Sequence, residues 1–170
     1  MVHAAGILLL SKYKNEIYVL LGKDHYDTFS DFGGKCDLVD CNNPIQTASR
    51  EMYEETCGTI LSITEITKKI AHCEYISTLS FTNKQYFMYI LFIPYDKQLP
   101  YIYNKVLKYI NNIKNLSKFK EKIELKWFIL DDILNNKNIK LRNVFQQTIN
   151  LHKNNILKIA YNYISRNTHI

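Results

Sequence analysis

The sequence predicts a mixed α/β domain, because strand-type and helix-type patterns alternate along its 170 residues. The clearest strand pattern covers residues 85–94, which are nearly continuous in aromatic and β-branched side chains and are expected to form a central, buried strand. The clearest helix pattern follows Asn43-Pro44. With 46% hydrophobic residues, a chain of this length builds one sizeable core, so we expect a single domain over residues 1–170.

Four further segments have strand or turn patterns. Apolar residues 4–11, a polar turn and a β-type run at 17–21 predict a hairpin. Residues 24–31 are interpreted as a loop that leads to Gly33-Gly34. Residues 69–75 are interpreted as a strand, and so are residues 125–130, after which Asp131 is expected to cap a short turn of helix.

The helix after residue 43 has a predicted beginning and end. Asn43 suits the N-cap, Pro44 suits the first helical position because its missing N–H needs no partner there, and Gly58 suits a left-handed C-terminal residue. Its apolar stripe consists of Ile45, Ala48, Met52 and Tyr53. Two more helical regions are predicted, at 106–116 and at about 141–165, the latter broken near Asn154-Asn155.

Composition and charge restrict the partners and the compartment. The formal net charge of +6 and the pI near 9.0 favour an anionic partner such as a polyphosphate or nucleic acid. The four cysteines lack the spacing of a zinc site and are expected to be free thiols. Because no signal peptide or membrane-spanning run is recognisable, we expect a cytoplasmic location without membrane contact, or a nuclear one.

Three carboxylates mark the candidate chemistry. Glu51, Glu54 and Glu55 are related as i, i+3 and i+4, so a helix places them on one face. A solvated helix face tolerates the mutual repulsion of these three carboxylates. A hard cation such as Mg²⁺ between their oxygens would give a functional reason for the cluster. Gly33-Gly34, which precede the helix, allow a backbone to approach an anion or metal closely.

Residues 34–58 resemble the Nudix box, G-x5-E-x7-R-E-U-x-E-E-x-G-U, in which U is a bulky aliphatic residue. Gly34 begins the match, Arg50-Glu51-Met52 and Glu54-Glu55 form its core, and Gly58 closes it. Asp40 stands at the first Glu position. Two extra residues fall in the loop before the helix and one falls after Glu55, so neither change disturbs the register of the three acids.

The resemblance implies a Nudix-type α/β/α sandwich with a mixed sheet, in which the box forms a loop–helix–loop. It implies Mg²⁺, with Mn²⁺ as a substitute, held by Glu51, Glu54, Glu55 and the Gly34 carbonyl. Catalysis is implied for Glu54, Glu51 and Arg50: Glu54 is the first candidate for general base, and Arg50 would orient Glu51 without touching the substrate.

Substrate contacts are expected outside the acidic face. His25 lies in the loop before the box, and Lys35 follows Gly34. Because a further acid from outside the box often contributes in this family, Glu121 and Glu124 are candidates, although both are equally well explained as surface charges among Lys118, Lys120, Lys122 and Lys126.

The family implies a Mg²⁺-dependent hydrolase that cleaves the diphosphate linkage of a nucleoside diphosphate joined to another group. Residues 29–35 resemble Nudix proteins of large DNA viruses, which keeps mRNA 5′ caps among the substrates and would imply the host cytoplasm. Such an RNA would contact the lysine-rich residues 105–126 or the C-terminal helix. Diphosphoinositol polyphosphates, and a catalytically inactive nucleotide-binding module, are the alternatives.

Overall fold

The computed structural model describes residues 2–79, 84–135 and 137–167. Within these ranges, seven strands form one mixed sheet with the principal order β3-β2-β1-β6-β5, while β4 pairs with β1 and β7 pairs with β2. The strands are β1 (Val2–Tyr13), β2 (Glu16–Asp24), β3 (Phe29–Ser30), β4 (Phe32–Lys35), β5 (Tyr75–Leu79), β6 (Gln85–Phe92) and β7 (Lys122–Ile129).

The first two strands form the predicted hairpin and then diverge. They pair antiparallel from Tyr13↔Glu16 to Leu9↔Leu20. Beyond that point β3 pairs with β2, and β4 pairs with the N-terminal part of β1, so the segment 29–35 fills the gap between the two strands. Asp31 is the residue between β3 and β4, and the chain passes from one strand to the other at this position.

In the part of the chain that the structure describes, five α-helices cover the two faces of the sheet. They are α1 (Pro44–Glu55), α2 (Ile63–Ile70), α3 (Leu99–Asn111), α4 (Leu130–Leu134) and α5 (Asn143–Asn167). One apolar core contains buried residues of α1, α2 and α3, and the other contains buried residues of α4 and α5. Neighbouring β1 residues alternate between the cores, with Leu9 in the first and Leu8 and Leu10 in the second, as the strand period of two requires. The result is the expected α/β/α arrangement with a mixed sheet.

Helix α1 has the beginning that its sequence predicts. Asn43 Oδ1 accepts a hydrogen bond from the Ile45 N–H at 2.9 Å, and Pro44 is the first helical residue. The helix ends at Glu55, after which Cys57 and Gly58 both have positive φ, and the Gly58 N–H donates to the Tyr53 carbonyl. The one residue that this chain has in addition to the box pattern after Glu55 therefore lies in the turn that follows the helix, and it does not change the register of the acids.

Several boundaries predicted from the sequence are wrong. Residues 69–75 are not a strand: α2 extends to Ile70, and β5 starts only at Tyr75. The helix predicted at 106–116 begins earlier, at Leu99, with Pro100 in its first turn. Asp131 does not cap α4, since it lies inside the first turn and Ile129 occupies the N-cap without a side-chain bond.

The remaining predictions are closer. Strands β6 and β7 occupy the expected segments, and β6 is central, parallel to β1 and antiparallel to β5. The loop expected at 24–31 contains the short strand β3. The irregular backbone of α5 lies at His152 and not at the Asn pair that follows it. Within the described ranges, every helix is too short or too polar to cross a membrane.

Candidate active site

Arg50 is the centre of the site, because all five of its N–H donors are used. Nε and Nη2 donate to the two oxygens of Asp40, at 2.9 and 2.8 Å. Nη1 donates to Glu51 Oε1 at 2.9 Å and to Glu54 Oε2 at 3.0 Å, and Nη2 also reaches the Lys35 carbonyl at 3.0 Å. The bonds to Asp40 and the neighbouring carboxylates raise the pKa of Arg50. Arg50 therefore binds Asp40, Glu51 and Glu54 together and has no donor left for a ligand.

Asp40 takes the role of the first box acid in spite of the inserted residues. It ends a short 3-10 turn, and the next two residues, Cys41 and Asn42, have φ of 51° and 58°. This tight left-handed turn returns the chain to Asn43, so the shorter Asp still reaches Arg50. Burial alone would raise the pKa of Asp40, but the bonds from Arg50 and from the Asp37 N–H lower it below its usual value.

Glu51 and Glu54 line a cavity of about 690 Å³. Burial raises the pKa of Glu51, and the charges of Glu54 and Glu121 add to the rise against the opposing effect of Arg50. Glu121 lines the same cavity, whereas Glu124, the other candidate acid from outside the box, does not. Lys118 is also present, with its Nζ 3.9 Å from Glu54 Oε1. One wall of the cavity is thus acidic and partly screened by cations.

Glu55 faces the protein interior and is not among the residues that line the cavity. It accepts a bond from the Gly33 N–H at 2.8 Å and lies 3.3 Å from the Lys122 Nζ. Burial raises the pKa of Glu55 to about 8, although Lys122 opposes the rise. Lys122 itself is only 1% exposed and donates to Ser30 Oγ at 2.7 Å, so interpreting it as a surface charge is wrong.

Gly34 leaves space for the carboxylate of Glu51. A Cβ added to Gly34 would lie 2.5–2.6 Å from the carboxylate atoms of Glu51, so any larger residue would force the Glu51 carboxylate out of its place on Arg50. Glycine at this position therefore lets strand β4 run directly beside the acidic helix without moving Glu51. The residue lines the cavity, as do its neighbours Gly33 and Lys35.

The acids fit a divalent cation in chemistry but are not arranged around one. Within the described residues, no group of three His, Cys, Asp or Glu side chains has the geometry of a metal site. Arg50 holds one oxygen each of Glu51 and Glu54, and Lys122 holds Glu55. The second oxygens of Glu51 and Glu54 accept no hydrogen bond from the described residues. These two hard donors on the cavity wall suit Mg²⁺, whereas Glu55 would first have to leave Lys122.

Of the three substrate contacts predicted from the sequence, only Lys35 lines the cavity. His25 is exposed, and its Nε2 lies 2.8 Å from the Lys120 carbonyl. Glu124 lies on β7, 3.7 Å from Lys23. The structure does not bring His25 and Glu124 to the acids, and an ordinary surface role accounts for both.

The cavity wall also contains residues outside the box and its neighbouring loop, and we call Asp31, Tyr86 and Arg142 the second wall. Asp31 is 7% exposed, lines the cavity and accepts a hydrogen bond from the Tyr86 hydroxyl. Burial raises the pKa of Asp31, with smaller opposing effects from the Tyr86 bond and the nearby cations Lys122 and Arg142. Arg142, at the start of α5, and Tyr86 also line the cavity.

Two signals in the sequence pointed to this wall. Asp31-Phe32 stands where the Nudix pattern usually has an apolar residue and Pro before Gly-Gly. This difference places a carboxylate at a position that is usually apolar. Arg142 is one of only three Arg residues among 22 basic residues. An Arg in a chain that otherwise uses Lys is a candidate for a planar, bidentate contact with an anion.

Comparisons with known proteins identify the fold. Neither a protein-family model nor a curated protein sequence matches the chain. Among solved structures, the NUDIX domain of Shewanella oneidensis NrtR, complexed with ADP ribose, is 14% identical with a TM-score of 0.58, over 92% of this chain and 88% of that one. A Caenorhabditis elegans Ap4A hydrolase in a binary complex is 16% identical with a TM-score of 0.55, over 91% and 98%.

A third solved structure, the C-terminal domain of mouse MUTYH in complex with human PCNA, is 8% identical with a TM-score of 0.53, over 89% of this chain and 87% of that one. Identities this low show a shared fold and nothing about activity. The chain therefore has the α/β/α fold of Nudix domains, as the box in its sequence implies.

Proposed function

We propose that this protein is a hydrolase that uses Mg²⁺, or Mn²⁺ in its place, to cleave the diphosphate linkage of a nucleotide-type substrate. The observation that carries the proposal is the Arg50 centre, which holds Asp40, Glu51 and Glu54 together at the wall of a cavity. A purely structural ion cluster would have no reason to turn two of its carboxylates toward such a space. Sites of this volume accommodate small ligands of nucleotide size.

The charges along the cavity suit a diphosphate bridged by a cation. Glu51 and Glu54 each have an oxygen that Arg50 does not use, and these oxygens would hold the ion. When bound, Mg²⁺ supplies neutralisation of the diphosphate charge and acidifies the attacking water. Lys35, Lys118 and Arg142 line the same space and would bind the phosphate oxygens that the ion does not reach.

The protein groups divide the remaining work. Arg50 keeps Glu51 and Glu54 in fixed rotamers, and Gly34 leaves room for Glu51. Glu54 is our first candidate for the base that removes a proton from water, with Glu51 as the other. Glu55, paired with Lys122, anchors α1 to β7 and becomes a metal ligand only if that pair opens.

The substrates we propose share a diphosphate joined to a nucleoside. The solved structures with this fold include an ADP ribose complex and an Ap4A hydrolase, which makes these two compounds the first to test. Capped RNA and diphosphoinositol polyphosphates follow, because the net charge of +6 favours larger anions as well. A cytoplasmic enzyme acting on nucleotides agrees with the location expected from the sequence.

A catalytically inactive nucleotide-binding module is the second candidate, and one observation favours it. The three acids of α1 are engaged by Arg50 and Lys122 and form no assembled metal site within the described residues. Such a protein would bind nucleotides through the cavity without hydrolysing them. The same experiment separates the two candidates.

The test is product mass after incubation of the purified chain with Mg²⁺ and ADP ribose, Ap4A, nucleoside triphosphates, a diphosphoinositol or capped RNA. We expect cleavage of at least one substrate and a loss of about a hundredfold or more in Glu54→Gln, as is usual for a general base or a metal ligand. Glu74→Gln is the matched control, because Glu74 is exposed and far from the box in sequence.

Each result bears on a candidate. Cleavage that depends on Glu54 but not on Glu74 supports the hydrolase. Equal inactivity of all three proteins, together with nucleotide binding by calorimetry, would favour the binding module and refute the hydrolase. Release of a methylated guanosine diphosphate from capped RNA would identify decapping as the activity.

A further inference from the structure

The positive charge of the chain is concentrated in two segments that contain no acidic residue. Residues 97–120 hold six Lys, and residues 133–170 hold six basic residues. All sixteen acidic residues lie elsewhere, so the rest of the chain is net negative. A basic stripe of this kind is the electrostatic footprint of a polyanion site when its cations are unpaired and lie on one face.

Helix α3, in the first segment, meets both conditions. Its buried residues are Leu99, Tyr103, Leu107 and Ile110. At 100° per residue, the opposite face carries Tyr101, Lys105, Lys108, Tyr109 and Asn112, all of which are exposed. Within the described part of the chain, the amines of Lys105, Lys108 and Lys114 form no ion pair or hydrogen bond, and Lys105 lies over the Tyr101 ring at 5.2 Å.

The two tyrosines of this face have no packing role that explains them. Tyr101 is 62% exposed and Tyr109 is 71% exposed. Exposed aromatic rings that alternate with lysines are typical of single-stranded nucleic acid sites, since bases stack on the rings while the cations follow the backbone.

The C-terminal end of α3 leads into the cavity. After Asn111 the chain passes through Lys114 to a 3-10 turn, Ser117–Lys120. Cys57, two residues after the end of α1, donates from its Sγ to the Phe119 carbonyl of this turn. Lys118 of this turn lines the cavity beside Glu54, and its Nζ lies 3.4 Å from Asp37 Oδ2 in an exposed pair that a phosphate would have to displace. The exposed face of α3, about 20 Å long, therefore ends in the segment that carries Lys118 to the cavity.

Helix α5 also starts at the cavity, but its exposed side does not carry a comparable series of unpaired cations within the described residues. Most cations of its segment are engaged nearby: Lys137 with Asp132, Lys140 with the Tyr26 carbonyl, Lys153 with Asn135, and Arg142 in the cavity wall. The exposed side chains that follow Arg142 include Val144 and Leu151, which are apolar. Lys158, the next cation after Lys153, lies beyond the irregular backbone at His152 and 16 residues after Arg142.

We propose that the exposed face of α3 binds the body of a single-stranded RNA whose 5′-terminal phosphates lie in the cavity. The proposal rests on the proposed diphosphate hydrolase and deepens it, because it makes an RNA 5′ end the substrate. Lys118 and Lys114 hold the first backbone phosphates, Lys108 and Lys105 the next ones, and Tyr109 and Tyr101 provide the stacking surfaces.

The test is fluorescence anisotropy with a 3′-labelled RNA of about 12 nucleotides, a length within the usual site size, that carries a 5′-triphosphate. Binding is measured in EDTA, so no turnover is needed. Lys105→Gln with Lys108→Gln should weaken binding and reduce the slope of log K against log[salt] by about 1.4, or 0.7 for each lost phosphate contact. Tyr101→Leu with Tyr109→Leu should weaken binding by about fivefold or more.

The matched control is Lys153→Gln with Lys158→Gln, which removes the same charge from α5. We expect that control to bind RNA nearly as the wild type does, and we expect hydrolysis of Ap4A or ADP ribose to be equal in the wild type and the α3 variants. Equal weakening by both lysine pairs would overturn the α3 assignment, as would stronger weakening by the α5 pair.

Other outcomes separate this inference from the function on which it rests. If the wild type hydrolyses small nucleotides but does not bind the RNA, the RNA site is wrong and the hydrolase stands. If it binds the RNA through α3 and hydrolyses nothing, the hydrolase fails and the RNA site stands. Binding to vesicles of phosphatidylserine and phosphatidylcholine without binding to RNA would reassign the face to a membrane and overturn the proposal.

Discussion

At the scale of single residues, Arg50 differs from the other cations of the cavity because its donors are exhausted by the protein. Its five bonds join the turn at Asp40, the carbonyl of Lys35 and the acids of α1. The guanidinium is planar and presents its donors in a fixed fork, so one side chain can fix three carboxylates at once. A lysine has three donors at a single point and cannot reproduce this geometry.

We therefore expect Arg50→Lys to lower the free energy of unfolding by about 2 kcal/mol, because several charge-assisted hydrogen bonds to partly buried carboxylates are lost. Urea denaturation followed by circular dichroism measures the change. Arg166→Lys is the control, since Arg166 is exposed near the end of α5 and should change stability very little. A wild-type midpoint for Arg50→Lys would mean that the bonds contribute nothing to stability.

At the scale of elements, helix α2 shows a signal that was present in the sequence and was overlooked. Ser62-Ile63-Thr64-Glu65 is a capping box: Ser62 Oγ accepts from the Glu65 N–H at 3.3 Å, and Glu65 Oε2 accepts from the Ser62 N–H at 2.9 Å. Ile66 and Ile70 then bury one side of the helix. The prediction of a strand at residues 69–75 is wrong because the capping box at residues 62–65 starts a helix that continues to Ile70.

This cap leads to a prediction of modest size. Ser62→Ala removes the acceptor for the Glu65 N–H and should lower the free energy of unfolding by about 1 kcal/mol. Thr64→Ala, on the exposed side of the same helix, should leave stability unchanged or raise it slightly, because alanine has the higher helix propensity. The denaturation midpoints of the two variants measure these changes in stability. An equal loss of stability in both variants would show that the loss does not come from the cap hydrogen bonds.

At the scale of the whole molecule, the pair of Glu55 and Lys122 joins α1 to β7 beneath the cavity. Because burial raises the pKa of Glu55 from 4.5 to about 8, the folded protein binds more protons at this group than the unfolded chain between those two values. The free energy of unfolding therefore receives a contribution from Glu55 that decreases as pH rises through this window.

We expect Glu55→Gln to remove that contribution, so that stability in EDTA falls less steeply between pH 4.5 and about 8 than in the wild type. Urea titrations at several pH values measure the slope. The control Glu74→Gln should retain the wild-type slope, because Glu74 is exposed. An unchanged slope in Glu55→Gln would show that the carboxyl ionises in its ordinary range within the fold.

Local patterns in the sequence determined much of this protein. The Asn43-Pro44 start of α1, the strand at 85–94 and the hairpin depend on residues close in the chain, and each is present in the structure. The box likewise predicted the fold and the bond between Arg50 and Glu51. Helical period alone places three glutamates on one side of α1, since no distant residue is needed for that register.

The tertiary structure decided what each of those glutamates faces. Glu51 and Glu54 line the cavity, but Glu55 is turned inward by Lys122, a residue 67 positions away whose burial no local pattern indicates. Asp31 reaches the cavity because β1 and β2 diverge and the chain crosses between them at that residue. A carboxylate's environment is set by long-range packing, so the sequence determined which acids are present and the fold decided which of them can meet a ligand.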